Sequence, residues 1–219
     1  MMMKVRHILA LALLAIVLAA CGDDGKPYEY GDFLYEMVTY SGSDNGLARF
    51  SLIKRDDSEM TLLSNATCSI DVERGQRLLL NYVPDGAASG GVQLISARGY
   101  TQAVTDSLRY TSDMGTIVMD SVRLRSVWRT GNYLNLSTEV KYTTGKRMIA
   151  LVMDKSTWHS DTVHCYLVHD MMDEQAYFWR RCYVSFYIGA VWKLSTCKTL
   201  RMHLNDVIYP NLDYYDFTK

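Results

Sequence analysis

Three histidines at five-residue steps, His159, His164 and His169, lie beside Asp161 and Asp170. These are the residue types that hold zinc and other transition metals. Strand side chains alternate, however, so a five-residue step sends His164 and His169 to opposite faces of "TVHCYLVH". Two ligands need one face, and the expectation is no metal site and no cofactor. Asp23-Asp24, Asp56-Asp57 and Asp173-Glu174 are paired acids of the kind a glycosidase uses. Adjacent carboxylates usually sit on solvated turns, which leaves a hydrolase as the weakest reading. Cys165 beside His164 is no dyad, because neighbours on a strand diverge, and no G-x-S-x-G elbow is present. Gly90-Gly91 lacks the strand-to-helix context of a phosphate loop. The expected protein is not an enzyme.

The elements that would position such residues are strands. The 219 residues are 48% hydrophobic and 21% charged, with sixteen Tyr and only three Pro, a composition that leans toward sheet. Short extended runs follow one another: "DFLYEMVTY", "GLARFSLI", "MTLLS", "QRLLLNYV" and "GVQLISARGY". Five strands in this span suit a small barrel. The pattern pauses at "TDSLRYTSDMG". Beyond it, "YLNLSTEVKY" puts Leu134, Leu136, Thr138, Val140 and Tyr142 on one face and polar residues on the other. The following hairpins suggest a two-sheet sandwich. The fold class is all-β: an N-terminal OB-like small barrel over residues 32–108, then a C-terminal antiparallel β-sandwich over 109–219. The one helix-compatible stretch is "HDMMDEQAYFWRR", with room for one turn.

The start of the chain reads as an address. Lys4 and Arg6 precede the uncharged run Ile8–Ala20, which makes about 20 Å of helix, too short for a hydrocarbon core of about 30 Å. This is the layout of an export signal over residues 1–20. Its exit, Leu18-Ala19-Ala20-Cys21, resembles the bacterial lipobox. The resemblance implies cleavage before Cys21 and acylation of Cys21, with residues 21–31 as the tether. Gly22 leaves out the inner-membrane retention signal. Asp23-Asp24 resembles the surface-export signal of lipoproteins in gut and oral Gram-negative anaerobes. The expected place is the outer membrane, facing outward in preference to the periplasm. Loss of Lys4 and Arg6 takes the formal charge from −1 to −3, which gives no basic footprint for nucleic acid. Cys68, Cys165, Cys182 and Cys197 remain, and buried free thiols are the common outcome. A Cys182–Cys197 disulfide on neighbouring strands is the one pairing singled out.

The acylated start, "GDFLYEMVTY", "ERGQRLLLNYV", "GNYLNL" and "RRCYVSFYI" together resemble the NigD-like family of lipoproteins. The resemblance runs from about Tyr28 to the end and implies a barrel followed by a sandwich, but no activity. It departs at Arg147-Met148, where the family pattern has a histidine, so no role for that position carries over. The family's origin in a bacteriocin gene cluster hints at immunity. Asp106-Ser107-Leu108, Asp120-Ser121-Val122 and Asp161-Thr162-Val163 resemble the O-glycosylation acceptor of the same anaerobes, which marks Ser107, Ser121 and Thr162. On the barrel, Arg49, Lys54, Arg55, Arg74, Arg77 and Arg98 could charge a binding face. The leading expectation is a membrane-anchored protein that binds a protein or glycan and not nucleic acid. The alternative is an immunity factor, and the tail "YPNLDYYDFTK" is expected to be a last strand on the sandwich.

Overall fold

A computed structural model describes residues 33–44, 46–64, 71–142, 147–172 and 175–219. Cys21, Cys68, Asp23-Asp24 and Asp173-Glu174 lie outside the described residues. Five strands close a barrel: β1 (Leu34–Asp44), β2 (Leu47–Ile53), β3 (Glu59–Ser64), β4 (Arg77–Pro84) and β5 (Val92–Gln102). Their order around the barrel is β1-β2-β3-β5-β4, and β4 pairs back to β1. All pairs are antiparallel except β3–β5. Alternation drives the closure. In "LARFSLI" the side chains of Ala48, Phe50 and Leu52 turn inward, and they meet Val38, Leu62, Leu80 and Ile95 in one core. A tight barrel also needs bent strands. Gly42, at φ +101°, sits where the β1–β2 register slips, and Arg98 is the extra residue where β5 bulges against Asn81 and Tyr82.

The second part is a sandwich. One sheet has the order β14 (Tyr214–Thr218), β13 (Thr199–His203), β11 (Thr162–Asp170), β10 (Met148–Asp154), β7 (Arg109–Thr111). The other has β6 (Val104–Ser107), β12 (Phe178–Tyr187), β9 (Tyr133–Tyr142), β8 (Val122–Thr130). Leu134, Leu136, Leu151, Met153, Phe186 and Leu200 fill the space between them. The tail forms β14, paired with β13. The sheets are mixed: β6–β12, β7–β10 and β11–β13 run parallel, and each joins strands linked by a long connection instead of a hairpin. Sheet membership changes early. Val104–Ser107 already pairs with β12, at the very start of the pause in the sequence pattern.

Two local expectations are corrected. The stretch after His169 holds no helix among its described residues, and β12 begins at Phe178. The helical turn is α1 (Gly189–Trp192), inside a run that reads as strand, and it buries Val191 and Trp192 in the sandwich core. Gly189 suits this turn, because a Cβ there would collide with the Tyr187 hydroxyl. The Cys182–Cys197 disulfide is also absent: Cys165, Cys182 and Cys197 are free. Cys182 is on β12, whereas Cys197 precedes β13 in the other sheet, so the two are not on neighbouring strands.

Residues 34–219 form one compact unit, and polar chemistry joins barrel to sandwich. Arg77 is 1% exposed. Its Nε donates to Ser185 Oγ at 3.1 Å, Nη1 to Thr39 Oγ1 at 3.1 Å and Nη2 to Asn135 Oδ1 at 3.0 Å. The Tyr133 ring lies 4.4 Å from its guanidinium carbon. No carboxylate is among these partners, and burial pushes the guanidinium down to about 10, so it stays charged at neutral pH. A second clasp lies at the β2–β3 turn. Asp57, at φ +64°, accepts from Arg129 Nη1 at 2.7 Å and Nη2 at 2.9 Å, and from the Gly131 backbone N–H at 2.9 Å.

Candidate functional site

Between these two clasps barrel and sandwich leave a cleft of about 770 Å³. Pockets of this size hold small ligands or segments of larger ones. Tyr35 and Glu36 come from β1, Ile53 from the end of β2, Leu79 from β4, and Lys54 and Arg55 from the β2–β3 turn. The opposite wall is Ser126, Val127, Trp128 and Thr130 on β8, Ser137 on β9, and Arg181 and Tyr183 on β12. Strand period places Tyr35 and Ser137, while Glu36, on the Val38 face of β1, lines the cleft as well. Odd-numbered Tyr35, Met37 and Thr39 leave the barrel on the face away from Val38 and Tyr40, toward the sandwich. On β9, Ser137 shares its face with Asn135, opposite the core side chains of Leu134 and Leu136.

Among the described residues, three cations and one acid line this cleft. Burial raises the Glu36 carboxyl above its usual range, and Arg55 and then Lys54 draw it back. Burial, with the Glu36 charge second, pushes the nearby Tyr82 phenol up to about 12. Tyr35 is 62% exposed, and its hydroxyl accepts from Asn81 Nδ2 at 3.0 Å. The basic surface continues along the sandwich. Glu139 accepts from Arg125 Nε and Nη2 at 3.1 and 2.8 Å, while Arg123 and Arg181 approach it at 3.6 and 3.9 Å. Arg123 also lies over the Trp179 ring at 4.3 Å. Near Glu139, three arginines therefore face one carboxylate.

The residues singled out from sequence are dispersed. His159 is exposed, His169 is fully buried, and His164 lies on the outer face of β11. His164 Nδ1 is 2.9 Å from Nε2 of His203, a partner 39 residues away that spacing within β11 cannot reveal. Among the described residues no three His, Cys, Asp or Glu side chains gather as metal ligands. Asp56 is occupied by Ser58, and Asp57 by Arg129. Burial raises the thiols of Cys165, Cys182 and Cys197. Ser107 is exposed, while Ser121 and Thr162 are half-buried. Of the barrel cations, Lys54 and Arg55 reach the cleft, whereas Arg77 is spent inside the junction. The wall from β8 and β12 went unseen in the sequence, since only the tertiary fold brings it to the barrel.

The family model for the NigD-like C-terminal β-sandwich domain matches residues 107–218. The chain belongs to the NigD-like family. Solved structures with the same fold include a protein of unknown function from Bacteroides vulgatus, at 18% identity and a TM-score of 0.66, covering 85% of this chain and 90% of that one. A NigD-like immunity protein from Bacteroides caccae aligns at 18% identity and 0.58, covering 87% and 99%. A protein described as a lipoprotein from Bacteroides fragilis aligns at 11% and 0.61, covering 85% and 97%. No curated protein matches the chain. No helix among the described residues of this NigD-like chain is long and apolar enough to cross a membrane.

Proposed function

We propose that this NigD-like protein is a non-catalytic binding module, held at the outer membrane by acyl chains on Cys21, that takes an acidic glycan into its barrel–sandwich cleft. The observation that carries this reading is the cleft's lining: Tyr35, Trp128 and Tyr183 interleaved with Lys54, Arg55 and Arg181 around the single acid Glu36. Aromatic faces offer flat apolar surface to sugar rings, and guanidinium and ammonium groups match uronate carboxylates. Walls from two clasped domains give such a site fixed geometry. The lipobox and the lipoprotein-like relative from Bacteroides fragilis support the anchor. Labelled palmitate should enter the wild type and not Cys21→Ala; equal labelling would refute the anchor. The non-catalytic reading is supported by carboxylates already committed to arginines, at Asp57, Glu139 and Asp216. Ser107, exposed on β6, is the proposed O-glycosylation site, ahead of Ser121 and Thr162. A mass shift lost in Ser107→Ala would support this assignment, and an unmodified wild type would refute it.

Calorimetric titration of the full chain with polygalacturonate, and with neutral dextran, tests the cleft. The expected result is binding to polygalacturonate alone, weakened by salt. Lys54→Gln with Arg181→Gln should weaken it about tenfold or more, given ~1.5–3 kcal/mol per hydrogen bond to a charged group. Absence of binding, or binding indifferent to both substitutions, would reject the proposal. A second reading is favoured by the likeness to the Bacteroides caccae immunity protein. There the cleft would receive an acidic segment of a toxin, and a deletion strain challenged with bacteriocin should lose resistance. Unchanged sensitivity would discard that reading.

A further inference from the structure

A second opening, sharing no residue with the cleft, leads between the two sheets of the sandwich. It encloses about 380 Å³, room for a ligand of monosaccharide size. Arg109 and Arg147 stand exposed at its rim, and Thr105 and Asp106 belong to the same edge. Further in are Ile149, Cys182 and His169. His169 is 0% exposed, and neither ring nitrogen makes a close hydrogen bond, although the backbone of Asp120 and Ser121 lies against the ring. Buried polar groups are almost always satisfied, so a fully buried ring with no close partner on the wall of an opening has hydrogen-bonding capacity left for a ligand.

The rim is arranged around charge. Asp106 Oδ2 holds Arg109 through Nε at 2.9 Å and Nη2 at 2.8 Å, while Nη1 donates to Met148 Sδ at 3.3 Å. Arg109 is thereby aimed and its charge balanced, while two of its five N–H groups are left to donate to a ligand. Arg147 packs over the Tyr142 ring at 4.8 Å, and with Arg109 balanced by Asp106 it leaves the described lining with a net positive charge. Burial holds the His169 imidazole below its ordinary range, with Asp120 pulling the other way. The neutral ring offers one donor and one acceptor, which is what a hydroxyl needs. Guanidinium groups at the mouth select an anion. We propose that this opening binds a small hydroxylated anion, a sugar acid or sugar phosphate, with its charge on Arg147 and Arg109 and a hydroxyl on His169.

Calorimetry on the full chain with D-glucuronate, D-glucose 6-phosphate and D-glucose tests this, and which anion binds separates carboxylate from phosphate. At least one anion should bind and glucose should not. Arg147→Gln and Arg109→Gln, both at exposed positions that leave the core intact, should each weaken binding about tenfold. Lys54→Gln with Arg181→Gln should leave it unchanged, which separates this site from the cleft. His169→Leu should abolish binding while keeping the strand apolar. Binding of neither anion, equal binding of glucose, or binding that survives both arginine substitutions would overturn the proposal.

Discussion

Arg77 shows how one side chain can join two domains. Its three hydrogen bonds all end on neutral oxygens, so the cost of burying the charge is met by dipoles and the Tyr133 ring. Asn135 is the hub, because its Oδ1 also accepts from Ser185 Oγ at 2.8 Å. Asn135→Leu would leave a buried cation short of acceptors and should cost about 2–4 kcal/mol in denaturant unfolding. Adding Arg77→Met should recover part of that loss, since the stranded charge is gone; a purely additive double mutant would argue against the network. Asp57 makes a pH-dependent contribution. Arg129 holds its carboxyl below the usual range, so the contribution is complete above the unfolded value of about 3.9 and is lost as pH falls through the lower folded value. Asp57→Asn should lower the melting temperature near neutral pH, and its gap to wild type should close in acid. Asp57 is 49% exposed at its side chain, so the effect is modest.

At the scale of elements, the β8–β9 hairpin does two jobs. Gly131-Asn132 is a two-residue turn with Gly131 at φ +55°, the first central position of a tight hairpin. A Cβ on Gly131 would also come within 3.0 Å of Ile53 on the barrel. Gly131→Ala should therefore destabilise by about 1–3 kcal/mol, through backbone strain and a displaced barrel turn. A neutral outcome in thermal unfolding would show that the turn does not bear on the barrel. Strand alternation was legible in "YLNLSTEVKY", where Leu134, Leu136, Thr138 and Val140 are buried as read. Asn135 on the polar face is buried too, because the barrel covers it, and no local pattern announces that. The turn at Gly189 was missed for a related reason. "CYVSFYIGAV" is apolar apart from Ser185, and strand and buried helix share that signature until tertiary packing decides.

The whole molecule explains why the architecture was readable while the site was not. Hairpins link neighbours in sequence, so the barrel strands and the β8–β9 and β10–β11 pairs follow from turns and periodicity, whereas the parallel pairs β6–β12, β7–β10 and β11–β13 do not. The cleft depends on Lys54 and Arg55 meeting Trp128 and Arg181 from over 70 residues away in the chain. Its electrostatics are equally hidden: a formal charge of −1 conceals a locally basic surface running from the cleft past Glu139. Nothing in composition separates that surface from scattered solvated charge. The most direct measurement is a crystal structure of the protein with a galacturonate oligosaccharide. The account predicts sugar density between the β2–β3 turn and strands β8 and β12, with a carboxylate on Arg181 or Lys54. Density only elsewhere, or an empty cleft at saturating ligand, would contradict it.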